Sequence, residues 1–301
     1  MSIDDLFTKN KHIYLLVVIA VFLFGGVVIL EKSQTVENLI PILRGEVTLK
    51  NGIVITCTKD GSPLLVKKND PLLGKHLRVS GMVNSVFSDT ILELCRSNDV
   101  VVEVGSYFGY NSVLLGKKVK NGIVYCLEPN SFIFPYLRKN IIINDLESVC
   151  ILKSVAVSSS KGDCDIEDYF EVAEDRQKKN GTNSTKKKQL LRVSCSTLDH
   201  EIQGKTGSVN LLAIDIPGLE FLILGGAMKI LNESPNIVVV VTFQKKEAAK
   251  NVDVESELDQ LHAEGFRFYL AQGKNDISPI TIGEILELTG NIVLIFSKKP
   301  L

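Results

Sequence analysis

From residue 100 onward the chain alternates short, largely apolar runs with segments of helical periodicity, and nothing else in the sequence narrows the fold as much. The runs at 100–104, 123–127, 149–157, 211–216 and 237–243 lack the every-second-residue polar pattern of a half-exposed strand. Helical segments are expected between them at 85–96, 111–118, 132–144, 219–231 and 254–264. The alternation implies an α/β fold with a doubly wound, mostly parallel sheet. The last runs, 266–270 and 292–296, read as strand, loop, strand, an antiparallel hairpin on the sheet edge.

The first of these strands ends in Glu103-Val-Gly105-Ser106-Tyr-Phe-Gly109, with a helix directly after. Gly105 permits a tight turn and the close approach of a ligand to the backbone. The spacing is neither the G-x-G-x-x-G of dinucleotide sites nor a P-loop, because no Gly-Lys-Ser/Thr follows. An acid on the strand repels phosphate and suits a ligand that carries positive charge and an amino group, as S-adenosylmethionine does. The second strand ends at Glu128, about 20 residues on, where an acid can accept from both hydroxyls of a ribose. The turn residues Gly105, Ser106 and Gly109, with Glu103 and Glu128, are therefore the candidate cofactor contacts.

These residues resemble a known family. Glu103-Val-Gly105 with Gly109, Leu127-Glu128-Pro129-Asn130, Leu137-Arg-Lys-Asn140 with Asn144, Ala156-Val157 with Gly162, Thr197-Leu198-Asp199 and Ile214-Asp215-Ile216-Pro217-Gly218-Leu219-Glu220 look like the FkbM-type class I methyltransferases. The resemblance runs from about residue 46 to the C-terminus. It implies a Rossmann-like seven-stranded sheet, S-adenosylmethionine as cofactor, and O-methylation of a hydroxyl on a sugar or small natural product. It also puts Ser154 and Val155 where such enzymes contact adenine. Two positions depart from it: Ala213 stands where the family carries Lys, and Pro217 where it carries Glu. After the fifth strand the chain reads Val241-Thr242, where an acid is common. Asp215, at a strand's C-terminal end, is the remaining candidate for the base that takes a hydroxyl proton; a helix cap or a structural carboxylate is the other reading of it. His200 and His262 read as surface residues.

Ahead of this domain, residues 13–30 form an uncharged apolar run, IYLLVVIAVFLFGGVVIL. At 1.5 Å per residue it spans about 27 Å, close to the hydrocarbon thickness of a bilayer. It is longer than a secretory h-region and no Ala-x-Ala follows, so a retained single-pass anchor is expected, after a short tail at 1–12. The flanking lysines do not decide its orientation. A connector and a small β-hairpin extension occupy 31–84, with Asn51-Gly52 as the turn signal, and the methyltransferase-like domain takes 85–301.

An acidic block and then a basic block fill 160–190, read as a solvated, self-neutralising insertion, or else as a lid or a contact to anionic lipid headgroups. The 34 basic and 35 acidic residues nearly cancel, which argues against a nucleic-acid partner. No pair of the six cysteines has C-x-x-C spacing, so no zinc site is expected; Cys126 and Cys150 read as buried core.

Two functions compete. One is an active methyltransferase held at a membrane, its domain in the cytosol where the methyl donor is made, acting on a small-molecule or glycan acceptor. The other is a catalytically degenerate homologue that binds the cofactor or serves as an interaction module.

Overall fold

The computed structural model describes residues 47–48, 52–68, 70, 77, 83–167, 190–202, 204 and 207–301. The expected anchor at 13–30, the tail before it and the middle of the charged insertion lie outside the described residues. Among the described residues, no helix is long and apolar enough to cross a membrane. The chain divides into two compact units, residues 1–82 and 83–301.

In the first unit, β1 (Val47–Thr48), β2 (Ile53–Cys57) and β3 (Pro63–Lys67) form a three-stranded antiparallel sheet in that order. This is one strand more than the expected hairpin. Thr48 pairs with Val54, and the Asn51 of the expected turn lies outside the described residues. A second turn, in which Asp60 accepts from the hydroxyls of Thr58 and Ser62, leads into β3. Val54, Leu64 and Val66 are fully buried, as period-two alternation dictates.

The second unit is a mixed eight-stranded sheet with helices packed on it. Its strands are β4 (Val100–Val104), β5 (Ile123–Leu127), β6 (Cys150–Lys153), β10 (Leu211–Ile214), β11 (Val238–Phe243), β12 (Arg267–Gly273), β13 (Asp276–Pro279) and β14 (Ile292–Ser297). Their order is β13-β12-β14-β11-β10-β4-β5-β6. The five strands from β11 to β6 are mutually parallel. Helices α1 (Ser85–Leu94), α2 (Tyr110–Lys118) and α3 (Phe134–Ile142) accompany the first three of these strands. After β6 the chain returns to the far side of β4, so β4 and β10 flank the point where strand order reverses. Ligands of such sheets bind outside the carboxyl ends of the strands at that point.

Every residue of β10 is buried, and Val101, Val102 and Val104 of β4 are at most 2% exposed, which explains why these runs carry no polar alternation. All six cysteines are free, with Cys126 and Cys150 in the core.

Three local expectations are corrected. The sheet has eight strands, not seven, because β12 continues through a tight turn into β13. The last two long strands pair antiparallel as expected, but the terminal one is not at the edge: β14 inserts between β11 and β12, antiparallel to both, where its apolar run is covered on both faces. The single strand expected at 149–157 breaks after Lys153. Its second half, β7 (Ala156–Val157), joins a separate three-stranded sheet with β9 (Leu190–Ser196) and β8 (Gly162–Glu167). The described ends of the charged insertion are therefore the paired strands β8 and β9, where Arg192 lies 3.8 Å from Asp163 and 3.5 Å from Asp165. These ion pairs are solvent-exposed and contribute little to stability.

Candidate functional site

Strand β4 pairs in register with β5 on one side and β10 on the other, which brings their carboxyl ends level. Backbone bonds carry the alignment past the strand ends: Asp215 N–H donates to the Val104 carbonyl at 3.1 Å, and the N–H groups of Gly105 and Ser106 share the Leu127 carbonyl, each at 3.1 Å. Glu103, Glu128 and Asp215 thus meet around the glycine turn.

That turn is tightly wound. Gly105, Tyr107 and Gly109 all have left-handed φ, at 89°, 51° and 87°. Such a conformation is costly for a tyrosine and persists only where the surroundings enforce it. Three contacts do so here. The Tyr107 N–H donates to Oε2 of Glu128 at 2.9 Å. Its ring meets Phe108 edge-on at 4.8 Å. The Phe108 carbonyl accepts from Nδ2 of the fully buried Asn140 on α3 at 2.7 Å.

Gly105 has the positive φ of the tight turn that the sequence called for, and close packing adds a second demand for glycine. A Cβ there would lie 2.8 Å from Cγ1 of Ile216 and 3.2 Å from the Asp215 carbonyl. The space beside Gly105 is taken by the loop after β10. At Gly109, a Cβ would meet Leu137 at 2.7 Å.

Glu103 is 2% exposed, and its Oε2 accepts the hydroxyls of Ser106, at 2.9 Å, and of Ser112 on α2. Ser106 therefore turns its hydroxyl inward, and Glu103 ties the turn to the helix that follows. Burial pushes the Glu103 carboxyl up to about 7 despite these hydroxyls, and the nearby Asp215 charge adds to the rise. Glu128, 5% exposed, accepts one backbone N–H on each oxygen: Tyr107 on Oε2, and Asn130 on Oε1 at 2.8 Å. Burial pushes it up to about 7 as well, against the pull of those two amides. Each oxygen keeps a second lone pair, so the carboxylate offers two acceptors to a ribose diol. A pair of buried acids is also the donor set that suits a cationic sulfonium. The residues present fit S-adenosylmethionine.

Asp215 is half-buried. Its Oδ1 accepts from Thr242 Oγ1 on β11 at 2.6 Å and from Asn84 Nδ2 at the start of α1 at 3.3 Å. Burial raises its carboxyl above the usual carboxylate range, with the two donors opposing. Glu220 is fully buried two residues beyond Gly218, whose N–H it accepts at 2.6 Å; burial pushes it up to about 7. Ser154, exposed, and Val155, half-buried, sit where the chain leaves β6, next to the Lys153 carbonyl that accepts the Glu128 N–H at 3.0 Å. His200 and His262 are exposed on helices.

Sequence reasoning missed Asn84, Asn140 and Thr242 as parts of this site. Asn84 carried only the signal of an asparagine before a helix, and Thr242 registered only as the absence of an acid. Asn140 stood in the family pattern without a role.

No curated protein matches the chain. Solved structures similar to it include an rRNA methylase from Streptococcus thermophilus, 14% identical over 71% of this chain and 94% of that one, with a TM-score of 0.42. A tRNA m1G37 methyltransferase from M. jannaschii is 14% identical over 83% of this chain and 57% of that one, with a TM-score of 0.43. The assignment rests on neither of these distant likenesses. It rests on the model of the methyltransferase FkbM domain, which matches residues 103–268, more than half of the chain, and takes in Glu103, the glycine turn, Glu128 and Asp215. The chain belongs to the FkbM methyltransferase family and is an S-adenosylmethionine-dependent methyltransferase.

Proposed function

We propose that this chain is a membrane-anchored O-methyltransferase that acts on a hydroxyl of a sugar or small natural product. The observation that carries the reading is the meeting of three raised carboxyls, Glu103, Glu128 and Asp215, at the carboxyl ends of adjacent strands around one glycine turn. In this reading Glu128 accepts from the ribose hydroxyls. Gly105, Ser106 and Gly109 shape the turn beneath the cofactor, and Glu103 faces its positive charge. Ser154 and Val155 border the adenine. The cofactor, when bound, supplies an electrophilic methyl group. The chain's own part is to align the acceptor oxygen with that methyl, which can account for much of the rate enhancement. Asp215 takes the hydroxyl proton as the oxygen attacks, and its raised pKa makes it a better base than an ordinary carboxylate.

Residues 13–30 anchor the domain, and it faces the cytosol, where the methyl donor is made. The partners in this reading are a small-molecule or glycan acceptor and the bilayer, not nucleic acid.

A second reading has support in Ala213, a fully buried methyl at the position of the family's lysine. There the chain binds the cofactor without turnover or serves as an interaction module.

Calorimetric titration of S-adenosylmethionine and S-adenosylhomocysteine into the full chain, with assay of methyl transfer to a pool of monosaccharides and glycans, separates the readings. Binding with transfer supports the first. Binding without transfer to any hydroxyl favours the second, and so does the absence of binding, which sinks the first. Protease shielding in sealed vesicles tests the topology: digestion of the large domain from outside would remove the cytosolic placement.

A further inference from the structure

We propose that Asn84 and Thr242 are positioning residues of the methyl-transfer site: together they hold Oδ1 of Asp215, so that Oδ2 is presented to the acceptor hydroxyl. The proposal rests on the reading of Asp215 as the base.

The three side chains come from separate elements, the start of α1, the end of β11 and the loop after β10, and close a triangle. Thr242 Oγ1 lies 2.6 Å from Asp215 Oδ1, Asn84 Nδ2 lies 3.0 Å from Thr242 Oγ1, and Asn84 Nδ2 lies 3.3 Å from Asp215 Oδ1. The direction of each bond follows from the groups themselves. An ionised carboxylate only accepts and an amide NH₂ only donates. The single hydroxyl proton of Thr242 therefore goes to Asp215, and its oxygen accepts from Asn84. Such a chain polarises along its length and fixes the carboxylate rotamer. Both recorded donors fall on Oδ1. Oδ2 takes none among the described residues, and Asp215 is half-buried rather than sealed, so this oxygen is the one open to an incoming hydroxyl.

Asn84 is not optimised as a helix cap. Its Oδ1 accepts from the Phe87 N–H at 3.5 Å, a long bond, and its backbone is left-handed at φ 41°. Serine or aspartate caps a helix as well as asparagine does, but neither has an amide to donate to Thr242 and Asp215. Asparagine at this position both caps the helix and brings an amide to Thr242 and Asp215. The groups facing Asp215 from α1 and β11 are neutral, and from β4 it faces the Glu103 carboxylate. The two neutral donors are thus what favours the ionised form of Asp215.

The test is a ¹³C NMR titration of the Asp215 carboxyl in the full chain. Thr242→Val keeps the shape and removes the donor; the Asp215 pKa is expected to rise by about one unit, and Thr242→Ser to restore it. Asn84→Ser keeps a capping oxygen and removes the amide without adding charge, so it also raises the pKa, and it remains informative if Thr242→Val does not fold. An unchanged Asp215 titration in both folded variants overturns the proposal. The reading beneath it fails differently: a shifted titration, together with unchanged methyl transfer from S-adenosylmethionine to a monosaccharide pool in Asp215→Asn, shows that the triangle positions nothing catalytic. The first failure is seen at the carboxyl and the second only in the rate.

Discussion

Ala213 on β10 stands in register with Glu103 on β4, and its methyl group offers that carboxyl no counter-charge. The charge that does act on Glu103 is another negative one, Asp215. A buried acid in this setting holds its proton close to neutrality.

The consequence for stability has a definite sign. Glu103, Glu128 and Glu220 are each pushed up to about 7 in the folded protein, above the ~4.3 of an unfolded glutamate. Their protonated forms favour the fold, so the stability they add is complete below about pH 4.3 and is lost as pH rises towards 7. Glu103→Gln removes one titrating group, while its amide oxygen can accept both serine hydroxyls. Thermal melts of cofactor-free protein between pH 5 and 8 should show wild type losing stability relative to Glu103→Gln. A difference that stays flat across this range contradicts the raised Glu103.

Cofactor affinity should run the other way. Ribose hydroxyls and a sulfonium both favour ionised carboxyls, so binding of S-adenosylmethionine is expected to tighten from pH 6 to pH 8, with proton release in calorimetry. Glu128→Ala should cost about 1.5–3 kcal/mol of affinity, as for hydrogen bonds to a charged group. Part of that loss comes from releasing the Tyr107 N–H. A folded Glu128→Ala protein that binds as tightly as wild type removes the ribose assignment.

Gly105→Ala should destabilise the apo-protein by about 1–3 kcal/mol, because it adds a Cβ at φ 89° and 2.8 Å from Ile216. The sequence alone would assign this glycine to the ligand and leave the fold unharmed. Ile216→Ala in the same chain should recover part of the loss, since it clears the contact but not the backbone strain. Chemical denaturation of the four proteins in this cycle measures the coupling, and a coupling of zero removes the packing explanation.

Asn140→Leu should cost about 1–3 kcal/mol, because it leaves the Phe108 carbonyl without its buried donor. It should also weaken cofactor binding by loosening the glycine turn, although Asn140 lies on α3, outside the turn itself. Measured stability within a few tenths of a kcal/mol of wild type counts against this support.

What the sequence determined by itself was local. Apolar runs such as Leu211–Ile214, alternating with helical segments along the chain, announce a parallel sheet. Glu103, the glycine turn and Glu128 lie within 26 residues of one another and are joined by a single strand–helix–strand unit, so their spacing could be read directly. Only the tertiary structure decided the rest, because the deciding contacts join residues far apart in the chain. Periodicity marks Ile292–Ser297 as a strand but cannot say that it slips between β11 and β12. Close packing on Ile216, more than 100 residues away, adds a need for glycine at 105 that the turn signal did not contain. Asn84, Thr242 and Asp215 are ordinary polar residues until the sheet brings them within hydrogen-bonding distance, over separations of 131, 158 and 27 residues. A polar side chain takes its role from the partner that desolvates and orients it, and a pattern along the chain does not record that partner.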